Sequence, residues 1–210
     1  MRQLILIGAF TVFSLFATAQ EAKIDETFEN ITEIEVDVIF SNVNIEATDG
    51  NTVSVKGLIE WSNTKQDFEI ITEVRGTTLH IEVDHPRNVK GNTSGNFDIK
   101  LPSLTDVKVN TISGNVKLNG VGQQSIKLNS ISGNLNGDKL TGDVKATTIS
   151  GNIYLSDIKG HVKTSSVSGN LKLSDVDGNL KGSSVSGDFR IENLKGNKEI
   201  STVSGSVRQN

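Results

Sequence analysis

From about residue 93 onward, apolar and polar residues alternate in short blocks that return at a fixed interval. In one block, apolar residues stand at Ile153 and Leu155, with one polar residue between them, and again at Ile158. A spacing of two is typical of a strand that buries one face, and the change to three predicts a corner. A shift of nine residues repeats the block, because Val162 and Val167 take the places of Ile153 and Ile158. The pattern therefore predicts two short strands per repeat, and no stripe of helical spacing continues across it.

One short phrase marks each repeat. Ser-Gly, followed by Asn, Asp or Ser and an apolar residue, occurs seven times, at residues 94–97, 113–116, 132–135, 150–153, 168–171, 186–189 and 204–207. Successive serines are 19, 19, 18, 18, 18 and 18 residues apart. A constant period of this length is the signature of a solenoid, in which each repeat contacts only its neighbours. We therefore expect an all-β, single-stranded β-helix with 18–19-residue coils stacked about 4.8 Å apart.

Stacking in register predicts columns of like residues that run along the solenoid. One apolar column follows the phrase, and it holds Phe97, Val116, Leu135, Ile153, Leu171, Phe189 and Val207. A second apolar column precedes the serines, and it holds Ile112, Ile131, Ile149, Val167, Val185 and Val203. We expect both columns to line the interior, with coils stacked in the order of the sequence, so that Phe97 lies beside Val116.

Cationic residues form outward columns on both strands of the repeat. The candidate binding face consists of Lys108, Lys127, Lys145, Lys163 and Lys181 on one strand, and of Tyr154, Lys172 and Arg190 on the other. A flat cationic face would suit an anionic polysaccharide or lipopolysaccharide. The alternative is protection, since outward lysines discourage aggregation between sheets and repel one another by only about 1 kcal/mol or less in water. We favour protection and keep binding as a hypothesis.

The polar residues of the phrase favour structural roles. Asn96, Asn115, Asn134, Asn152 and Asn170 form a column, and stacked amides that bond along a ladder explain it. Calcium-binding rolls use the form G-G-x-G-x-D, which this chain lacks, so we expect neither metal nor cofactor. The paired hydroxyls at 147–148, 165–166, 183–184 and 201–202 could meet sugar or ice, although most such arrays satisfy corner backbone groups.

Catalytic signals are weak in this sequence. His80, His85 and His161 are scattered, and the Ser-Gly phrase lacks the G-x-S-x-G form of a nucleophile elbow. The carboxylates Asp157 and Asp175 fall at a corner, where charged residues are usually solvated. We therefore expect no enzyme activity.

Residues 1–19 have the features of a signal peptide. Arg2 precedes an apolar run from Leu4 to Phe16, and Ala17-Thr18-Ala19 forms a small-x-small cleavage site. The run is shorter than the ~20 residues that a membrane span needs. This pattern predicts export to the periplasm, the cell surface or the extracellular space, and a mature protein that does not span a membrane.

Residues 20–92 lack the phrase but keep strand-like alternation, as in Ile34–Val38 and Leu79–Val83. We expect this part to form an irregular β cap and the first coils, and residues 93–210 to form the regular solenoid. Residues 20–90 carry 15 acidic and 6 basic residues, whereas residues 91–210 carry 10 and 14. No block of like charge predicts nucleic-acid binding. The absence of cysteine excludes disulfides, thiolate metal sites and a lipid-modified cysteine.

The phrases at 110–118 and 148–153 resemble a known bacterial family. They are similar to the secreted "putative adhesin" repeat domains, which are relatives of the head-GIN auto-transporter adhesin-like domains. The resemblance covers roughly residues 30–210. It implies a right-handed β-helix outside the cytoplasm, in proteins whose biochemical role is mostly unassigned.

These observations together predict a non-catalytic, secreted scaffold of the cell envelope with an adhesin-like structural or binding role. The alternative is a carbohydrate-binding module, or a polysaccharide-active enzyme, that uses one face of the solenoid. The expected partners are an anionic polysaccharide or another envelope protein. Because no cap is visible after the last phrase, at Val207, we also expect end-on self-association through unpaired strand edges.

Overall fold

The computed structural model describes residues 20–62, 67–85 and 92–210. Within these ranges all regular structure is β, so no helix is present that could cross a bilayer. The predicted signal peptide lies outside the described residues. The strands are β1 (Gln20–Glu29), β2 (Glu33–Val38), β3 (Ser41–Thr48), β4 (Thr52–Trp61), β5 (Glu69–Arg75), β6 (Thr78–Asp84), β7 (Thr93–Pro102), β8 (Asp106–Ser113), β9 (Val116–Asn119), β10 (Ser125–Ser132), β11 (Leu135–Thr141), β12 (Asp143–Ser150), β13 (Ile153–Lys159), β14 (Val162–Ser168), β15 (Leu171–Asp177), β16 (Leu180–Ser186), β17 (Phe189–Leu194), β18 (Lys198–Ser204) and β19 (Val207–Gln209).

The described strands form two sheets with the apolar core between them. Sheet A has the order β1-β4-β7-β3-β9-β11-β13-β15-β17-β19, and sheet B has the order β18-β16-β14-β12-β10-β8-β2-β6-β5. From β8 onward each coil contributes one parallel strand to each sheet, which gives six coils between β8–β9 and β18–β19. Like residues lie side by side, as Lys127 does with Lys145. The all-β solenoid predicted from the repeat is confirmed.

The first coil of the sequence is not the first coil of the stack. Strand β2 lies between β6 and β8, and β3 lies between β7 and β9. Val43 therefore pairs with both Phe97 and Val116. The expected contact between Phe97 and Val116 is wrong, because a period along the sequence cannot reveal a coil inserted from elsewhere in the chain. Strands β4 to β6 carry the chain past the β2–β3 coil before it returns.

Antiparallel strands close the N-terminal end of the stack. In sheet A, β4 pairs with β7 and β1 pairs with β4, while in sheet B β5 pairs with β6. Gly57 of β4 makes room for the core at this end, because a Cβ there would lie 2.6 Å from Phe97 Cε1 and 2.8 Å from Ile24 Cγ2. The apolar core thus ends against strands of reversed direction.

The second predicted apolar column lies on the outside of sheet B. We call it the apolar ladder: its residues are exposed by 45, 46, 50, 46, 50 and 82%, in the order Ile112, Ile131, Ile149, Val167, Val185 and Val203. The expectation that this column lines the interior is therefore wrong. The residue immediately before each of the first five members points inward instead. These residues form a buried column of hydroxyls, which we call the hydroxyl file: Thr111, Ser130, Thr148, Ser166 and Ser184.

A difference between the two sheets explains this reversal. In sheet A, a residue of positive φ, such as Asp157 (φ 51°), precedes the corner and resets the alternation, so that Ile158 points inward and is fully buried. Strands of sheet B have no such residue before the corner. Alternation there continues unbroken, with Ser166 inside and Val167 outside. The nine-residue shift relates the two halves of a coil in sequence but not in geometry.

Candidate functional site

The glycine of the repeated phrase is fixed by the packing of one coil on the next. A Cβ at Gly151 would lie 2.1 Å from the carbonyl oxygen of Gly133 in the preceding coil and 3.1 Å from Thr148 Oγ1. Gly133 and Gly187 show the same close approach to the glycine one coil earlier. No side chain fits in such a contact. Close packing between backbones therefore explains why glycine recurs in the phrase, and the phrase does not by itself mark a ligand site.

The asparagines of the phrase form an amide ladder from Asn115 to Asn170, as the sequence predicted, but Asn42 of the inserted β2–β3 coil stands between Asn96 and Asn115. Asn134 donates to Asn115 Oδ1 from its backbone N–H, at 3.1 Å, and from its side chain, at 3.2 Å. The same backbone contact recurs at each later coil and ends at Asp188, which accepts from the backbone N–H of Ser206 at 2.7 Å. This bond and a second from the Ser206 hydroxyl hold the pKa of the Asp188 carboxyl below its usual value.

A second ladder of hydrogen bonds runs along the opposite corner of the coils, and it includes His161, one of the three histidines. Asp143 Oδ1 accepts from the backbone N–H of His161 at 3.1 Å, and His161 Nδ1 accepts from that of Asn179 at 3.0 Å. His161 therefore takes a position that Asp and Asn take in the neighbouring coils. Among the described residues, no cluster of three or more His, Asp or Glu side chains could hold a metal ion.

The lysine ladder runs along the outer face of sheet B, in register on β8, β10, β12, β14 and β16. It consists of Lys108, Lys127, Lys145, Lys163 and Lys181. Its first and last members are paired. Lys108 donates to Glu35, which also lies 3.3 Å from His80 Nδ1, and Lys181 Nζ lies 2.7 Å from Glu199 Oε1. The hydrogen bond to Glu35 raises the pKa of Lys108 above its usual value.

The three central lysines differ from their neighbours. The exposed side chains of Lys127, Lys145 and Lys163 make no hydrogen bond or ion pair with any described residue. A shallow groove of about 550 Å³ runs beside them, and the corner residues Asp143 and His161 form its other wall. Solvent-facing ammonium groups at the spacing of the coils therefore border a groove.

The other predicted site residues lie on the opposite side of the molecule. Tyr154, Lys172 and Arg190 form a column on sheet A, in register on β13, β15 and β17. Tyr154 is 40% exposed, and Arg190 Nε donates to Glu192 Oε1 at 2.6 Å. Since the core separates the two sheets, the eight predicted residues form two separate columns and not one face.

Sequence reasoning missed the apolar side of the sheet B face. Each strand there presents three outward residues in a row, as β12 does with Lys145, Thr147 and Ile149. The lysine ladder, a column of small polar residues and the apolar ladder therefore run parallel along one face. A signal for this existed in the sequence, because strict alternation from Ala146 through Thr148 places Ile149 outside.

The N-terminal end of the same face is acidic. Glu82 and Asp84 of β6 and Asp37 of β2 line a second groove of about 470 Å³, whose floor includes Ile112 and Ile131. The charge separation noted in the sequence thus becomes a separation along one face, with carboxylates at one end and free lysines further along it.

A family model described as "Toastrack DUF4097" matches residues 31–209, from the approach to β2 as far as β19. The chain belongs to this family. No match to the sequence was found among curated proteins.

Three solved structures resemble this Toastrack solenoid. A "putative adhesin" from Bacteroides fragilis has 14% sequence identity and a TM-score of 0.57, over 90% of this chain and 97% of the other. A "putative cell adhesion protein" from Clostridium sporogenes has 14% identity and a TM-score of 0.48, over 91% and 99%. A "putative lipid binding protein" from Parabacteroides distasonis has 17% identity and a TM-score of 0.48, over 90% and 97%. At these identities, the first comparison shows a shared fold.

Proposed function

We propose that this protein is an exported, non-catalytic scaffold of the cell envelope that binds an anionic polysaccharide along the lysine ladder. The observation that carries the proposal is the set of three unpaired lysines, Lys127, Lys145 and Lys163, held in register beside a groove. An adhesin-like role agrees with the description of the Bacteroides fragilis neighbour. Export agrees with the leader-like pattern of residues 1–19.

The spacing of the lysines suits a repeating ligand. Successive ammonium groups are anchored about 4.8 Å apart by the parallel pairing of the strands. A linear polymer with regularly spaced carboxylates can meet several of them at once, and each added contact is intramolecular once the first has formed. Because these charges are exposed, salt should weaken the binding strongly.

The non-catalytic assignment rests on how the titratable groups are used. His161 and Asp143 bond to backbone N–H groups of the next coil, and His80 contacts Glu35, which is already bonded to Lys108. These side chains maintain the stack. A reacting group would need to be free to exchange protons with a substrate.

Sheet A supports a second candidate, a carbohydrate-binding module or a polysaccharide-active enzyme. Tyr154 offers an exposed aromatic ring, and its column continues with the cations Lys172 and Arg190. An aromatic ring with neighbouring cations can stack on a sugar and pair with its acidic groups. This candidate requires binding that depends on Tyr154 and not on the lysine ladder.

Titration calorimetry with soluble polygalacturonate tests the proposal. We expect replacement of Lys127, Lys145 and Lys163 by Gln to weaken binding at least about tenfold at low salt. Replacement of Lys100, Lys117 and Lys159 by Gln removes the same charge outside sheet B and should leave binding nearly unchanged. Equal losses in both variants would overturn the lysine-ladder site.

Two further measurements separate the alternatives. A Tyr154→Ala variant that loses binding while the lysine-ladder variant keeps it would favour the sheet A candidate. A reducing-end assay on the same polymer should detect no cleavage. Release of new reducing ends by the parent, but not by one of these two variants, would establish that the protein is an enzyme.

A further inference from the structure

We propose that the outer face of sheet B docks onto a lipid surface that carries anionic head groups. In this arrangement the lysine ladder meets the head groups and the apolar ladder lies at their boundary with the acyl chains. The inference uses lysines of the proposed polysaccharide site but goes beyond that function, because a soluble polysaccharide would leave the apolar ladder in water.

The apolar ladder is the first observation behind this inference. Five successive coils expose Ile112, Ile131, Ile149, Val167 and Val185 by 45–50% each. Scattered exposed aliphatic residues are ordinary, but these lie side by side in one continuous column. Together with Val203 they expose an area on the order of a few hundred Å², which is the size of patch that often marks an interaction site.

The position of the lysines relative to this ladder is the second observation. On each strand from β8 to β16 the lysine stands four residues before the aliphatic residue, as Lys145 does before Ile149, and both point outward. At about 3.3 Å per residue the two columns run parallel roughly 13 Å apart. A surface with cations along one side and aliphatic groups along the other is the pattern of interfacial membrane binding.

A second copy of the chain fits this face less well. Two copies can bring their apolar ladders together about a two-fold axis along the strands, but that axis also places lysine ladder against lysine ladder. The other in-plane axis, which runs along the stack, either places each lysine ladder against an apolar ladder or, when it passes over the apolar ladders, joins those two ladders alone and leaves the lysines without an anionic partner. An anionic lipid surface satisfies both columns without placing like charges in contact.

A sugar polymer also leaves the apolar ladder unexplained. Tyr154 lies on sheet A and Trp61 is buried, so neither aromatic ring lies on the outer face of β10 to β18. Sugar rings stack best on the flat face of an aromatic side chain. The aliphatic side chains of this ladder lack such a face, so they pack more readily against acyl chains than against sugar rings. The composition of the face therefore favours lipid over carbohydrate as the occupant of the apolar ladder.

The acidic end of the face does not prevent this docking. Asp37 on β2 lies two strand spacings from Lys127 on β10, and Glu82 on β6 lies three spacings away. At about 4.8 Å per strand these separations are roughly 10 and 14 Å. Both exceed the Debye length of about 8 Å at physiological salt. We therefore expect β10 to β16 to contact the surface while the β5–β6 end is held away from it.

Vesicle cosedimentation tests the inference, with the chain from Gln20 onward, which contains all the described strands of both sheets. Vesicles of phosphatidylcholine are compared with vesicles that contain about 30% phosphatidylglycerol, an anionic lipid. We expect the parent to bind the anionic vesicles at least about tenfold more tightly, since each lysine near an anionic surface contributes roughly fivefold. Soluble polygalacturonate is measured in parallel.

Two variants assign the contributions. Replacement of Ile131, Ile149 and Val167 by Thr keeps β-branched residues on the strands while it removes apolar surface. This variant should lose at least about tenfold in vesicle binding and keep its affinity for polygalacturonate. Replacement of the three free lysines by Gln should abolish the preference for anionic vesicles. Ile71→Thr with Leu104→Thr, at exposed sites off the apolar ladder, serves as the control and should bind as the parent does.

The outcomes distinguish the inference from the proposed function. Vesicle binding that is absent, or unchanged in the Ile131, Ile149 and Val167 variant, overturns the inference and leaves polysaccharide binding to stand by itself. Vesicle binding that needs both ladders, without any polysaccharide binding, supports the inference and overturns the proposed ligand. If the circular-dichroism spectrum shows that the triple variant has lost the β structure of the parent, the single Ile149→Thr variant is used instead. Its affinity for the anionic vesicles should fall about threefold.

Discussion

At the scale of single residues, the repeated phrase encodes contacts between neighbouring coils. Its glycine allows the backbone of one coil to approach the glycine of the previous coil, as Gly151 does with Gly133. Its Asn extends the ladder across the same step, as Asn152 does with Asn134 at 3.0 Å. Each residue of the phrase thus has a partner one period away, which explains why the phrase repeats with the period of the coil.

Gly151→Ala tests the glycine contact. The new methyl group would meet the Gly133 carbonyl oxygen at 2.1 Å, so the coils must move apart. We expect the free energy of unfolding to fall by about 1–3 kcal/mol, which is typical of overpacking, in urea denaturation. Gly50→Ala is the matched control, because its Cβ would meet only Thr48 Oγ1 at 3.7 Å. Similar losses in both variants would contradict the packing argument.

Asp188 makes the C-terminal coil sensitive to acid. Hydrogen bonds from Ser206 lower its pKa in the folded state from the usual 3.8, so the carboxylate stabilises the fold above that value. This stability is lost as the pH falls through the lowered folded pKa. We expect the hydrogen-exchange protection of the Ser206 amide, corrected for its intrinsic rate, to decrease as the pH falls below about 4.

The matched variant for this prediction is Asp188→Asn. An amide oxygen still accepts the Ser206 bond, as Asn170 accepts from the backbone N–H of Asp188 at 3.1 Å, but it does not titrate in this range. Protection in the variant should therefore be flat with pH. A decrease of the same size in the variant would assign the acid sensitivity to another group.

At the scale of strands, the two halves of a coil turn their corners with different backbone conformations. Strands of sheet A use a positive φ residue, as at Asp175 (φ 55°), and keep an aliphatic residue inside. Strands of sheet B turn later and place a hydroxyl inside and an aliphatic residue outside. The apolar ladder and the hydroxyl file are two consequences of this one difference.

Thr148→Val tests the energetic role of the hydroxyl file. Thr148 is 1% exposed, and its hydroxyl has no hydrogen-bond partner among the described residues. A methyl group of nearly the same shape avoids the cost of burying that hydroxyl, so we expect the free energy of unfolding to rise by about 1 kcal/mol in urea denaturation.

Thr111→Val is the matched comparison, two coils away in the same column. Thr111 Oγ1 donates to the carbonyl oxygen of Ile39 at 3.3 Å, and the loss of that bond should lower the free energy of unfolding by about 1 kcal/mol. Opposite signs for the two variants would support the assignment. Equal losses would show that Thr148 has a bonding partner, such as an ordered water molecule.

At the scale of the molecule, the two ends of the stack differ. Among the described strands, the N-terminal end finishes in the antiparallel strands β1 and β5, whereas the C-terminal end finishes in the parallel strands β18 and β19 of an ordinary coil. In this last coil, polar residues take inward positions: Lys198 pairs with Leu180 in register, Gln209 pairs with Ile191, and Lys198 bonds to Gln209 across the end of the core. An inward charge at an edge opposes further stacking, while the association predicted from the sequence stays a prediction.

Replacement of Lys198 by Leu together with Gln209 by Ile tests this end. The double variant restores the aliphatic columns up to the free edge, so sedimentation velocity should detect more self-association than in the parent at the same concentration. Lys195→Leu with Arg208→Ile adds similar apolar surface outside the core column and serves as the control. Equal behaviour of the double variant and the parent would show that the polar pair does not limit stacking.

The sequence by itself determined the coil, its period, its register and its outward lysines, because each depends on contacts one period away. Two features required the tertiary structure. The β2–β3 coil inserts between β7 and β9, and no local pattern records which distant strand completes a sheet. The placement of Ile131 outside and Leu140 inside depends on where the backbone takes positive φ, as it does at Lys139 (φ 53°). Unbroken alternation was a signal for Ile131 outside, but the spacing alone also allows a corner residue that resets the alternation, so the backbone conformation at each corner decides which side chain faces the core.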